Sequence, residues 1–202
     1  MDFSKVCVFL DNGHGNNTPG KCSPDKSIRE YSYVREIVQM LDKALREMGI
    51  KTFIVVPELK DISLTERVKR INSKYNYYKK QGISSFVISV HLNAAGNGST
   101  WTNASGWSVW VAKKASKNSR LLAQTLYNEA YNRKLKGNRC IPKDRFWTAD
   151  FYIVAKTLCP AVLTENLFQD NKEEVKWLLT NEGKKTITEI HIEGIKKFIE
   201  KL

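Results

Sequence analysis

No stretch of this 202-residue sequence approaches the roughly 18 to 20 unbroken apolar residues needed to cross a bilayer, so no stable membrane insertion is expected. The opening Met1-Asp-Phe-Ser-Lys5 offers no basic leader, and the apolar run from Val6 to Leu10 is short and closed by Asp11, which argues against a signal peptide. Cysteines never occur as Cys-x-x-Cys. Cys7, Cys22, Cys140 and Cys159 lie far apart, which argues against a thioredoxin-like centre or a cysteine zinc site. They read as free thiols, with a Cys22–Cys140 bridge the one alternative. Acidic residues are in deficit, 21 against 33 Lys and Arg, for a formal net charge of +12. The basic residues form no block of five or six, so no arm for nucleic acid is marked; the charge is a general bias towards anionic surfaces. Internal repeats, low-complexity linkers and composition breaks are also missing, and residues 1–202 read as a single domain.

What is present alternates between two periods. The run from Lys5 to Asp11 reads as a buried strand ending in the glycine-permitted loop Asn12-Gly13-His14-Gly15. Val34, Ile37, Val38, Leu41 and Leu45 recur at helical spacing between about Ile28 and Met48, with Gly49 as a stop. Lys51 to Val56 is a β-branched and aromatic strand, and Ser63 to about Gln81 a second amphipathic helix. Ser85 to Leu92 is apolar on both faces and reads as the central strand. A strand near Gly106 to Ala112, a helix from Ser116 to about Leu135 and an irregular basic stretch from Gly137 to Asp150 follow. The strand Ala161 to Glu165 and two helices, roughly Lys172–Leu179 and Glu182–Lys201, end the sequence. This order predicts an α/β three-layer domain, with a mainly parallel twisted sheet of about six strands and helices on both faces.

In such a sheet ligands bind beyond the carboxyl ends of the strands. Three predicted strand ends deliver polar groups: Asp11 and His14, then His91 and Asn93, then Glu165 and Asn166. Glu30 opens the first long helix, which returns from the same edge. Two histidines and a carboxylate form a common catalytic zinc shell that leaves a coordination position open, and a second carboxylate nearby would supply a general base. Taken singly these residues carry little: Glu30 alone is a first-turn glutamate that favours the helix dipole. The third histidine, His191, falls in the amphipathic C-terminal helix and reads as structural.

Asp11-Asn-Gly-His-Gly15 resembles the Asp-Pro-Gly-His-Gly opening of the zinc-dependent N-acetylmuramoyl-L-alanine amidases of the type 3 amidase family. Ser89-Val-His-Leu-Asn-Ala94 is similar to that family's Ser-Ile-His-Ala-Asn-Ala strand end. Pro160-Ala-Val-Leu-Thr-Glu-Asn-Leu-Phe-Gln-Asp-Asn171 resembles its Pro-Ala-Val-Leu-Val-Glu-x-Gly-Phe-x-x-Asn segment. Leu64-Thr-Glu-Arg67 followed by Asn72 matches the family's Leu-x-x-Arg helix, and Gly106 falls where a glycine begins the next strand. The blocks occur in family order over nearly the whole sequence.

The resemblance implies one Zn2+ held by His14, Glu30 and His91, with Glu165 as catalytic base, and hydrolysis of the lactyl–alanine amide of peptidoglycan. Glu36 is the alternative third ligand; Glu30 fits better because Arg29-Glu30 resembles the family's Lys-Glu pair. Asp11 is expected to orient a zinc-bound histidine or to cap its strand end, and Asn93, Trp147 and Asn166 to contact substrate. Three departures bear on substrate fit: Asn12 stands for the family's proline, Leu167 for its glycine after the base, and the arginine before Asp61 is absent. The stretch from Leu92 to Ser105 is too short for the helical plug that covers the zinc in division-regulated members. The expectation is therefore an uninhibited, monomeric catalytic domain of the phage-lysin kind. It would be made in the bacterial cytoplasm and reach the wall by lysis or a holin, or after loss of a leader. A zinc peptidase of similar fold and a non-catalytic wall-binding relative are the alternative readings.

Overall fold

The computed structural model describes residues 3–202. After a 3-10 turn at Phe3–Lys5, six strands and six helices follow: β1 (Val6–Asn12), α1 (Glu30–Glu47), β2 (Lys51–Ile54), α2 (Leu64–Lys79), β3 (Ser84–Asn93), β4 (Ser108–Val111), α3 (Lys117–Asn132), β5 (Trp147–Thr148), α4 (Tyr152–Lys156), β6 (Ala161–Phe168), α5 (Lys172–Leu178) and α6 (Asn181–Ile199). They form one six-stranded sheet in the order β2-β1-β3-β6-β4-β5. Every neighbouring pair is parallel except β4–β6, which is antiparallel.

Burial explains the apolar runs. All seven residues of β1 are buried, as expected for an inner strand covered on both faces. On one face Val8, Leu10, Ile88 and Val90 pack with the apolar stripes of α1, α3 and α6, where Phe86 meets Phe198 edge-on at 4.9 Å. On the other face Phe9, Val87 and Leu163 pack under α2 and α4, with Val68, Ile71 and Ile153. The helices start where side chains satisfy free amides. Ser63, Ser116, Asn171 and Thr180 each accept from the first turn of α2, α3, α5 and α6 respectively.

Two elements differ from the sequence reading. The stretch expected to be irregular up to Asp150 holds the edge strand β5, and α4 follows it with only five residues. Two-residue and five-residue segments are too short to display a period. β6 also runs three residues beyond Glu165, because the β3–β6 register shifts between His91 and Asn93 and pairing resumes at Asn93–Phe168. All four cysteines are free, so Cys22 and Cys140 do not pair.

Candidate active site

The carboxyl ends of β1, β3 and β6 open into a cavity of about 670 Å³ lined by His14, Glu30, His91, Asn93 and Glu165, with Lys21, Asp61, Arg67 and Phe151 among its walls. Loop geometry at the end of β1 depends on two glycines. A Cβ at Gly13 would lie 2.4 Å from the His91 ring, and one at Gly15 would lie 2.0 Å from the Asp61 main chain. Between them His14 adopts φ 58°, a left-handed conformation that non-glycine residues enter only when their surroundings hold them there. Its carbonyl is gripped from two helices, by Arg35 Nη2 at 3.0 Å and Arg67 Nη2 at 3.3 Å.

Arg67 is the main brace. Its buried guanidinium donates to Asp11 Oδ1 and the Asn12 carbonyl, both at 2.7 Å, and to Asp61 Oδ1 at 2.7 Å. The Asp61 carboxyl is raised by partial burial, yet the Thr18 hydroxyl and Arg67 outweigh this and hold it below its ordinary range. Asn12, in place of the family's proline, uses its carboxamide to donate to the Val56 carbonyl at 3.1 Å, fastening the β1 loop to the chain beyond β2.

His14, Glu30 and His91 each offer one donor atom, and the three atoms lie within 4.8 Å of one another. Glu30, the first residue of α1, is fully buried. Its Oε1 accepts the Leu92 amide at 3.0 Å and lies 3.1 Å from His91 Nδ1 and 3.5 Å from His14 Nε2. Gln169 Nε2 donates to the other oxygen at 3.4 Å. Burial alone would raise the Glu30 carboxyl, but His91 and His14 outweigh it and keep the group ionised. Burial pushes His14 down to about 4, so its imidazole is neutral and carries a free lone pair at physiological pH. At His91 burial acts downwards too, yet the carboxylates of Glu30, Glu165 and Asp11 prevail and raise it. Two imidazoles and one carboxylate at this separation suit a small divalent ion of zinc's preference.

Glu165 stands across from this cluster on β6, at the position paired with His91. Its Oε2 is buried and has no hydrogen-bond partner. Burial raises the carboxyl to about 7, with nearby His91 opposing. A half-buried carboxyl lining a cavity, with one oxygen desolvated and its pKa raised towards neutrality, has the properties of a general base.

The remaining expected residues are distributed differently. Asp11 does not touch a histidine; Ser89 lies between them, its hydroxyl donating to Asp11 Oδ2 at 2.5 Å and lying 3.2 Å from His91 Nε2. Asn93 lines the cavity. Asn166 faces the interior, where its carboxamide donates to the His91 carbonyl at 2.9 Å and accepts from Trp107 Nε1 at 2.7 Å. Expected to meet substrate, it instead holds the main chain of His91, because side chains alternate along β6 and Glu165 takes the cavity side. Trp147 sits on the edge strand, 6.0 Å from the Trp110 ring and with the Arg139 guanidinium 5.0 Å from its centroid, outside the cavity lining. Glu36 pairs with Lys184 at 2.8 Å, away from the cluster. His191 is buried with Nδ1 at 2.8 Å from the Ile187 carbonyl and Nε2 at 3.0 Å from Thr164 Oγ1, a structural role. Among the described residues no helix occupies 94–107; Asp170 Oδ2 instead accepts the Ala95 and Gly96 amides, holding that loop beside the cavity.

Arg35 was not singled out by the sequence, and Ser89 and Gln169 appeared there only as members of the family's motifs, without a role. Arg35 lies one position beside the apolar stripe of α1, Ser89 lies inside the apolar run of β3 and Gln169 in the turn after β6, so nothing local marked their contacts.

Comparison with known proteins places the chain in a family. The family model for N-acetylmuramoyl-L-alanine amidase matches residues 8–197. The endolysin of Bacillus phage SPP1 is 26% identical over 95% of this chain, which spans 65% of that protein. The sporulation-specific N-acetylmuramoyl-L-alanine amidase of Bacillus subtilis is 22% identical, with 95% of this chain and 68% of that protein covered. The chain thus spans about two thirds of the length of these relatives. The crystal structure of N-acetylmuramoyl-L-alanine amidase from Clostridium difficile 630 superposes with a TM-score of 0.80 and 25% identity, covering 96% of this chain and 97% of that one. A match that begins in the first strand and ends in the last helix leaves no layer of the fold outside it: the chain belongs to the N-acetylmuramoyl-L-alanine amidase family.

Proposed function

We propose that this chain hydrolyses the amide between the lactyl group of N-acetylmuramic acid and L-alanine in peptidoglycan, with one Zn2+ held by His14, Glu30 and His91. The observation that carries this reading is the three-donor cluster facing an unpartnered, buried Glu165 oxygen in one cavity. Zinc bound there would polarise the scissile carbonyl and lower the pKa of water towards about 7. Glu165 Oε2 accepts a proton from the attacking water as the new carbon–oxygen bond forms. As the carbon–nitrogen bond breaks, the same oxygen returns the proton to the departing alanine nitrogen. Glu30 and Gln169 fix the cluster from below, and Asn166 and Ser89 fix His91 from its main chain and ring. Asn93, at the cavity wall, is the polar group offered to the substrate. Action on the cell wall fits the likeness to a phage endolysin, and the short loop at 94–107 leaves the cavity uncovered.

The test is mass spectrometry of soluble products from purified peptidoglycan, with and without a chelator. Stem peptides bearing a free alanine amine, lost on chelation and restored by zinc, are the expected result. Fragments cut within the stem would overturn the bond assignment, and release that persists under chelation would overturn the metal.

A further inference from the structure

The cavity's charges are unevenly matched. Arg67 is held between Asp11 and Asp61, and Glu30 is surrounded by the two histidines. Lys21 lines the same cavity, yet forms no ion pair among the described residues. Its place is nevertheless fixed. The Glu30 amide donates to the Lys21 carbonyl at 3.0 Å, and the next residue, Cys22, makes an antiparallel bridge with Arg29. Lys21 is therefore tied by its own main chain to a proposed metal ligand, and its charge acts on both His14 and Glu165. The other wall, with Ile62, Leu64 and Phe151, is apolar. A cation at the rim of a hydrolytic centre, with no carboxylate of the chain paired to it, is available to an anionic group of the substrate.

The proposed substrate carries such a group close by. In a peptidoglycan stem the residue after the first alanine is a glutamate joined onward through its side chain. Its main-chain carboxyl is then either a free carboxylate or, in amidated walls, a neutral carboxamide. That carboxyl lies two residues from the scissile nitrogen, about 7 Å along an extended chain. We infer that Lys21 Nζ binds this second-residue carboxylate, so that the chain discriminates stems with a free carboxylate from amidated stems. The inference rests on the amidase reading and adds to it a residue that sets substrate preference.

The two readings are tested separately. Binding is measured by calorimetry on zinc-loaded Glu165→Gln protein, with N-acetylmuramoyl-L-alanyl-γ-D-glutamyl-L-lysine and the matching isoglutamine compound, in both of which the glutamate side chain is amide-linked. The carboxylate ligand is expected to bind about tenfold more tightly, the size of one charge-assisted contact. Adding Lys21→Met should bring the ratio of the two Kd values to near one, and Lys21→Arg should keep most of the preference. A ratio near one in the parent, or one unchanged by Lys21→Met, would overturn the role of Lys21. Cleavage of the same two compounds by the protein with Glu165 intact reports on the amidase reading alone, since it asks only whether the lactyl–alanine bond breaks.

Discussion

At the scale of single residues, the site is built from groups whose burial decides their chemistry. Glu165 is useful as a base because one of its oxygens is desolvated and unpartnered. Glu165→Gln should lower kcat roughly 10²- to 10⁴-fold while leaving zinc content intact, which amide-bond assays paired with metal analysis would check. Gly13 offers a steric counterpart: Gly13→Ala places a methyl 2.4 Å from the His91 ring, so zinc affinity should fall even though no ligand is changed. Away from the cavity, His191 makes a prediction about stability. Burial lowers it from 6.5 to about 4, so the folded protein keeps the ring neutral while the unfolded chain takes up a proton below about 6.5. Its contribution is complete above that pH and is lost as pH falls towards about 4, in total roughly 3 kcal/mol. Denaturant titrations from pH 7 to pH 4 should show a shallower loss for His191→Asn than for the native sequence. An equal loss in both would mean that other groups carry the acid sensitivity.

Leu167 shows what can and cannot be seen in a sequence. Its departure from the family's glycine is visible in the string, but its consequence is not. The residue is buried and has φ 70°, a conformation that costs a non-glycine residue about 1–2 kcal/mol. The side chain recovers a comparable amount by packing into the same core cluster as Val175 and Leu178 of α5. Leu167→Gly should therefore change stability by only about 1 kcal/mol, where the truncation Leu41→Ala in the middle of α1 should cost about 2–5 kcal/mol. Thermal or chemical denaturation of the two variants would separate them.

At the scale of elements, the strands that carry the site were legible because they are inner parallel strands, apolar on both faces and followed by polar loops. Helices α1 and α2 were legible from their amphipathic periodicity. What stayed hidden is mostly contact between elements. Arg67 could be matched as part of a helix motif, but its clamp across α2, the β1 loop and Asp61 joins residues 6 to 56 positions apart. The side on which Asn166 lies could have been read from alternation along β6; its bond to Trp107 could not, since Trp107 sits 59 residues away. Arg67→Met should cost about 3–5 kcal/mol, because it leaves Asp11 buried without its cation and frees the His14 carbonyl. Loss of zinc affinity should accompany the loss of stability, and equilibrium unfolding with and without zinc would show both.

At the scale of the whole molecule, a six-stranded sheet brings its only three-donor cluster among the described residues to the rim where α/β sheets place ligands. The net charge of +12 gives the chain an overall bias towards an anionic polymer, so sedimentation of the chain with purified walls should weaken as ionic strength rises from about 0.05 to 0.5 M. If His14, Glu30 and His91 form one zinc site with Glu165 outside it, competition titration of zinc against a chromophoric chelator should separate the native chain, Glu165→Gln and Glu30→Gln. One tightly bound zinc per chain is expected in the first two, and affinity lowered by at least about 100-fold in the third, where a neutral amide replaces the buried carboxylate. Unchanged affinity in Glu30→Gln, or no stoichiometric zinc in the native chain, would contradict that assignment.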